Sequence, residues 1–523
     1  MTENNQIKKG IPKKITAIIA ATVLVVVGGI VAFSLMNNSP KTQYFKAETN
    51  TLEFMNENVT TSYQPEFDWA KTTKEKPTEN TVTLSGNYNG PPSSGMGISP
   101  DQIINNSKLQ LTTQTDKENK QLATDLQVNV AGIELKNINL YLDDDRLMLQ
   151  LPFMQKTLQV KDDDLAQLME NMNLTFNGES IDFADFFNHV DDLLSEDDKS
   201  YLREEYLQMI YEELSDDSFE SANESVKIQD NSIEAEKLSL QLSEKEVKDL
   251  VSALLEKVKK DDRVKDIIKD LNGYSTTLAS ASENNADPIL KNYEKNIDKA
   301  INSLEEIRMP EGITSTIWVK DGLIVKRESA ISMGAQNGKL VDLSMNGTQV
   351  LNDTTIDLDY TLAANDNAIT VKADMSNQDN ELENSVSISA DGADLSYQGS
   401  STLKDGTREF EREISVNGTG PNQTGSVIWT GEASYDNDRM NSEHNITVET
   451  PTLPQALNMV SLTVSRDAKV IKQVDKPEDN NVKDLGTMSP SELRNYFRTT
   501  VAPQYQQWLT EIMGAPDGNM NGF

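Results

Sequence analysis

Cysteine is absent from all 523 residues, so no disulfide, thiolate nucleophile, lipid-modified cysteine or zinc-thiolate centre belongs to this chain. Histidine is almost as scarce: only His189 and His444 occur, and neither stands in a metal-ligand spacing such as His-Glu-x-x-His. Positive charge is in deficit, with 48 Lys and Arg against 84 Asp and Glu and a formal net charge of −36. Such a surface repels nucleic acid and anionic lipid headgroups, which argues against both as generic partners. The carboxylates are too numerous for any pair to stand out as an acid/base couple. Asp143 to Asp145 suits a hairpin turn, and Asp162 to Asp164 suits the first turn of a helix, where negative charge complements the dipole.

Other motif fragments are incomplete. Gly90 and Gly95 have phosphate-loop spacing, but Met96 and Gly97 stand where Lys and Ser or Thr are needed. Ser401 and Lys404 form a lone Ser-x-x-Lys without its companion motifs. Asp517, Asn519, Asn521 and Gly522 match the first half of a calcium loop that lacks its glutamate. The sequence therefore offers no catalytic residue, no cofactor site and no metal site, and the expectation is a protein that is not an enzyme.

One long hydrophobic run is present. Residues Ile15 to Met36 are uncharged and overwhelmingly apolar, and they follow Lys8, Lys9, Lys13 and Lys14. This reads as a single transmembrane helix with the N-terminus in the cytoplasm and the bulk of the chain extracytoplasmic, at a cell membrane. A cleaved signal peptide is the competing reading; Ser34-Leu35-Met36-Asn37-Asn38 fits its small-residue cleavage site poorly. Export without cysteine suits a bacterial envelope of the Gram-positive kind.

The remainder divides by periodicity. Residues 1–14 form a cytoplasmic tail, 15–36 the span and 37–79 a membrane-proximal helical segment closed by Pro77. Two-residue alternation at Val82 and Leu84, Leu109 and Leu111, and Leu126, Val128 and Val130 predicts strands with one dry face. A phase shift at Asn137 predicts a bulge. Helical periods begin at Ser195, at the capping box Ser243 to Glu246, and at Asp287-Pro288. An Asp321-Gly322 turn predicts a hairpin. Residues 80–337 read as one α+β domain and 338–466 as an antiparallel meander. Residues 467–523 read as a linker and a C-terminal helix starting at Ser489.

The strand from Leu238 to Leu242 running into the capped helix, with Trp318-Val319-Lys320-Asp321-Gly322-Leu323-Ile324-Val325, resembles lipoprotein-carrier proteins of the LolA and LppX type. Tyr44 to Glu48 and Pro65 to Trp69 resemble uncharacterised single-pass membrane proteins of Gram-positive bacteria. The resemblance implies an α+β fold: an N-terminal transmembrane helix, then a curved antiparallel sheet forming an incomplete barrel with covering helices, then the meander and the C-terminal helix. It implies a membrane-anchored protein that binds a lipid or other hydrophobic ligand, with Leu250, Leu254, Tyr293 and Ile297 lining the cavity. The alternative is a structural or regulatory module that binds envelope proteins.

Overall fold

The computed structural model describes residues 38–514 apart from 89, 91–99, 173–182, 184–186, 188–194, 269–291, 419, 421–423, 452–459 and 479–480. The transmembrane span expected at 15–36, His189, the start of the helix expected at Asp287 and the calcium-loop fragment lie outside the described residues.

Ser39 caps the first helix, α1 (Pro40–Ser62), and α2 (Gln64–Glu75) follows it and ends at Lys76, before Pro77. The first block of strands comprises β1 (Thr78–Tyr88), β2 (Lys108–Asp116), β3 (Gln121–Val130), β4 (Ile133–Leu142), β5 (Arg146–Gln150) and β6 (Thr157–Lys161). Asn137 has φ +63° and the β3–β4 register shifts between Leu126 and Val128, so the expected bulge is present. Helix α3 (Asp162–Asn171) carries three aspartates in its first turn. Short helices α4 (Glu196–Leu202) and α5 (Gln208–Glu213) lead into β7 (Phe219–Ile228) and β8 (Asn231–Leu242). Helix α6 (Glu244–Lys260) starts on the Ser243–Glu246 capping box, and α7 (Tyr293–Leu304) packs beside it.

Strands then dominate: β9 (Ile307–Arg308), β10 (Ile313–Lys320), β11 (Leu323–Ala335), β12 (Val341–Asn352), β13 (Thr355–Ala364), β14 (Asn367–Gln378) and β15 (Glu381–Ala390). The series continues with β16 (Ala393–Lys404), β17 (Thr407–Asn417), β18 (Thr424–Asp436), β19 (Arg439–Glu449) and β20 (Val460–Val470). A short β21 (Val482–Asp484) precedes α8 (Pro490–Tyr496) and α9 (Ala502–Gly514).

All these strands belong to one sheet of 21. Its order starts at β7, passes through β8, β10 and β11, follows the meander from β12 to β20, and crosses to β1 through an antiparallel pairing of Thr78 with Val470 and Tyr88 with Val460. From β1 it runs out through β2 to β6 and ends at β21, which lies parallel to β6. Among the described residues β7 pairs only with β8, and β21 only with β6, so the row has two ends.

This topology corrects the expected fold class. The expected carrier-like sheet followed by a further meander is instead one sheet whose middle is the meander, with β1–β6 and β7–β11 at opposite ends. The physical reason is that alternation fixes which face of a strand is dry and says nothing about which strand lies beside it. No helix among the described residues is long and apolar enough to cross a membrane, so the N-terminal transmembrane element of that fold class finds no counterpart there.

Register places the dry faces of the strands together. Leu240 lies opposite Ser315, Ser315 opposite Ser329, Ser329 opposite Met345, and Met345 opposite Leu362. Helices cover this face at both ends. At one end α1 and α6 bury Tyr44, Phe45, Leu238, Leu240, Leu242, Leu250 and Ile317 in the largest core. At the other, α3 and α8 close over Leu142, Leu158, Val160, Leu168 and Leu493.

Candidate ligand-binding face

Between those two cores the same face continues over β13 to β20 and into β1 and β2. Because side chains alternate, the residues that α1 and α2 touch identify it. Asn377 donates to Ser62, Asn384 donates to Tyr63, and Arg408 donates to Glu66 at 2.6 Å and to the Ser62 carbonyl at 2.6 Å. Trp69 packs on Met440 and Ala468. The α1–α2 pair therefore runs along one margin of the sheet, crossing strand after strand. Counting back by twos from those contacts gives Val371 and Ile369, Ile388, Ile414 and Val416, Ile446 and Val448, and Leu462.

Among the described residues nothing covers these aliphatics. Leu362, Ile369, Ile388, Leu395, Ile414, Val416, Val448 and Leu462 are between 37% and 48% exposed. Register joins them into one surface: Leu362 faces Ile369, Ile388 faces Leu395, Leu395 faces Val416, Ile414 faces Val427, and Ile446 faces Leu462. The surface continues through Val464, Leu84 and Leu109. A contiguous row of this extent exceeds what a monomeric soluble protein normally leaves open. The face is thus an apolar window, framed by helices at both ends and along one margin.

The opposite face is polar and acidic. A groove of ≈ 670 Å³ there is lined by Glu383, Glu409, Glu411, Glu432 and Glu443, among others. Among the described residues no group of acids or histidines is arranged to hold a metal ion.

A different row occupies the apolar face between the helix-covered margin and the open aliphatics. The Arg412 guanidinium lies 4.6 Å from the ring centres of both Phe410 and Trp429. The Trp429 indole donates to His444 Nδ1 at 3.1 Å, and His444 Nε2 meets the Ser442 hydroxyl at 3.0 Å. Phe410, Trp429 and His444 stack within 5.6 Å of one another. Gly431 makes room for this stack, since a Cβ there would come within 2.8 Å of the Phe410 ring and 2.2 Å of the Glu443 carbonyl oxygen. Arg466 donates to Asn80 at 2.7 Å. Among the described residues neither Arg412 nor Arg466 has a carboxylate partner, whereas Arg327, Arg408 and Arg439 each have one. Burial, followed by the charges of Arg412 and Arg466, holds the His444 imidazole below the usual histidine range. Burial likewise holds Arg466 below the usual arginine range. Two cations without a carboxylate partner among the described residues make this row the candidate site for an anion, because a buried or half-buried charge is costly without a counter-charge.

The residues expected to line a cavity lie elsewhere. Leu250 and Ile297 are buried, Leu254 packs against the largest core, and the Tyr293 hydroxyl donates to the Val258 carbonyl at 3.0 Å. The structure brings these four into the packing of α6 and α7, away from the window. The two-residue alternation of the meander steps back from Ile414 to Arg412 and from Ile446 to His444, and forward from Leu462 through Val464 to Arg466. That step was the available signal, because a charge at a dry-face position stands out.

No protein-family model and no curated protein matches the chain. Among solved structures it is similar to Acinetobacter baumannii OccAB3, at 6% identity and a TM-score of 0.23, covering 76% of this chain and 98% of that one. Pseudomonas aeruginosa OccK9 gives 6% and 0.22, covering 75% and 97% of the two chains. Salmonella typhi OmpF, solved in complex with daunomycin, gives 6% and 0.22, covering 75% and 96%. The expected Gram-positive, single-pass placement with an extracytoplasmic bulk is corrected: among the described residues no helix is long and apolar enough to cross a membrane, and the solved structures that the chain is similar to are outer-membrane β-barrel porins. The single-pass and Gram-positive expectations do not stand. The TM-scores are too low to put a channel in their place.

Proposed function

We propose that this chain is a non-enzymatic protein that binds an acyl lipid or similar hydrophobic ligand on the open apolar window of its sheet. The observation that supports the reading is the uncovered row from Leu362 to Leu462 on the same face that helices seal at either end. Burying such side chains contributes about 25 cal/mol per Å² of apolar area, so one long acyl chain laid along the row gains several kcal/mol before the costs of association. The pairing among the described residues disfavours a membrane-spanning pore: there the row of strands ends at β7 and β21, and open edges leave backbone groups unsatisfied in hydrocarbon. Strand addition by a protein partner at β7 is disfavoured by Glu220, Glu224 and Lys227, which place charge along that edge.

The test is photo-cross-linking of the full chain with a photoactivatable acyl probe, followed by mapping of the labelled peptides. Labels on β14 to β20, reduced when Ile414 is replaced by Asp, support the reading. Labelling confined to residues 15–36 would overturn it.

A further inference from the structure

The window has a chemically distinct end, and that end defines the ligand's headgroup. Resting on the acyl-binding reading above, we infer that Arg412 and Arg466 receive the phosphate of a phosphomonoester lipid whose acyl chain lies over Ile414, Val427 and Ile446. The aliphatic positions adjoin the cationic ones through two-residue alternation along β17 and through cross-strand pairing of Ile414 with Val427 and of Trp429 with Ile446. An amphiphile entering tail-first onto the exposed rows therefore places its polar end at the arginines.

Charge selects among amphiphiles. The two guanidiniums have no carboxylate partner among the described residues, and the nearby Glu66 is already engaged by Arg408. A phosphate monoester carries about −1.5 to −2 charges near neutral pH and accepts charge-assisted hydrogen bonds from forked donors, matching two arginines better than a single carboxylate does. His444 and Trp429 hydrogen-bond to each other, so they form a fixed wall beside the anion and do not compete for it. The net charge of −36 opposes docking on an anionic bilayer, so the occupant is a single lipid molecule held away from the bilayer surface.

The experiment is displacement of the same acyl photoprobe from the detergent-solubilised full chain by three single-chain competitors: lysophosphatidic acid, oleate and neutral monoolein. Lysophosphatidic acid is expected to compete at a concentration at least about tenfold lower than monoolein, as for one charge-assisted contact. Arg412→Gln with Arg466→Gln should abolish that advantage and leave monoolein competition unchanged. Arg412→Lys with Arg466→Lys, which keeps the charges, should retain most of it, and this pair serves as the control for misfolding. Equal competition by lysophosphatidic acid and monoolein, or an advantage that survives the glutamine pair, overturns the headgroup assignment. Oleate matching lysophosphatidic acid overturns the choice of phosphate. Absence of probe labelling on the sheet instead removes the acyl-binding reading itself.

Discussion

His444 shows how much a single dry-face residue constrains its surroundings. Trp429 donates to Nδ1, so the imidazole is neutral and carries its proton on Nε2, directed at Ser442. Burial, with Arg412 and Arg466 facing it, depresses its proton affinity below the usual value of 6.5. A base with a lowered folded pKa binds fewer protons folded than unfolded, so its contribution to stability is present above 6.5 and is lost as pH falls through the folded pKa. His444→Gln can keep one acceptor and one donor without titrating. The urea-unfolding free energy of the native chain is expected to drop more between pH 7 and pH 5.5 than that of the variant; equal slopes would show that His444 is not held neutral. At this scale the sequence was readable where backbone chemistry is local, as at Asp321-Gly322, whose φ values of +53° and +82° are those of the expected tight turn. Arg412 was readable only by counting its strand's dry face through from Ile414, because an arginine in an alternating strand otherwise looks solvent-facing.

Helix α1 is fixed to the sheet by polar groups in a dry setting. Arg327 reaches both Glu48 oxygens, at 2.6 and 2.5 Å, and burial pushes the Glu48 carboxyl above the usual range even beside that cation. The Tyr44 hydroxyl meets Ser315 at 2.7 Å, and Ser315 meets Ser329 at 2.9 Å. Thr51 accepts the Ile324 amide at 2.9 Å. These contacts set the helix's rotation and position, which an apolar interface alone would leave free to slide. Arg327→Met, which strands a carboxylate in the core, is expected to cost about 3–5 kcal/mol, while adding Glu48→Leu should recover most of it. Paired denaturant titrations check this, and a double variant as weak as the single one would show that the pair itself holds the helix. Helices were legible where caps and period agree, as at Ser243 and Ser489, both of which form capping boxes. The docking of α1 was not legible, since its buried face carries Lys41, Thr42, Glu48, Thr49 and Thr51 among its apolar residues.

For the molecule as a whole, charge and pairing are the governing features. The face opposite the window gathers carboxylates at cross-strand positions: Asp357 lies directly opposite Asp374, and burial together with Asp374 and Asp359 pushes its carboxyl above the usual range. Like charges so placed destabilise a sheet, and with a net charge of −36 the folded state repels itself. The melting temperature is therefore expected to rise as sodium chloride increases from about 10 mM, where the screening length is near 30 Å, to several hundred millimolar. Asp374→Asn should raise it at low salt and do less at high salt; a melting temperature independent of salt would remove self-repulsion as a governing term. The pairing of β1 with β20 lay beyond the sequence reading for a related reason. Val82, Leu84, Leu462 and Val464 follow the same alternation as a dozen other strands, and nothing local says which two are neighbours.

That pairing also sets an order of events during synthesis. The β1 pairing with β20 spans up to 392 positions, from Thr78 to Val470, while the hairpins between β12 and β19 join residues no more than 27 positions apart. A ribosome releases the hairpins one after another, and each can form as it emerges. Strand β1, made early, must wait with one edge unpaired until nearly the last strand appears. The newborn chain is therefore most vulnerable to aggregation during that interval, and its dependence on holding chaperones should fall sharply once β20 has cleared the exit tunnel.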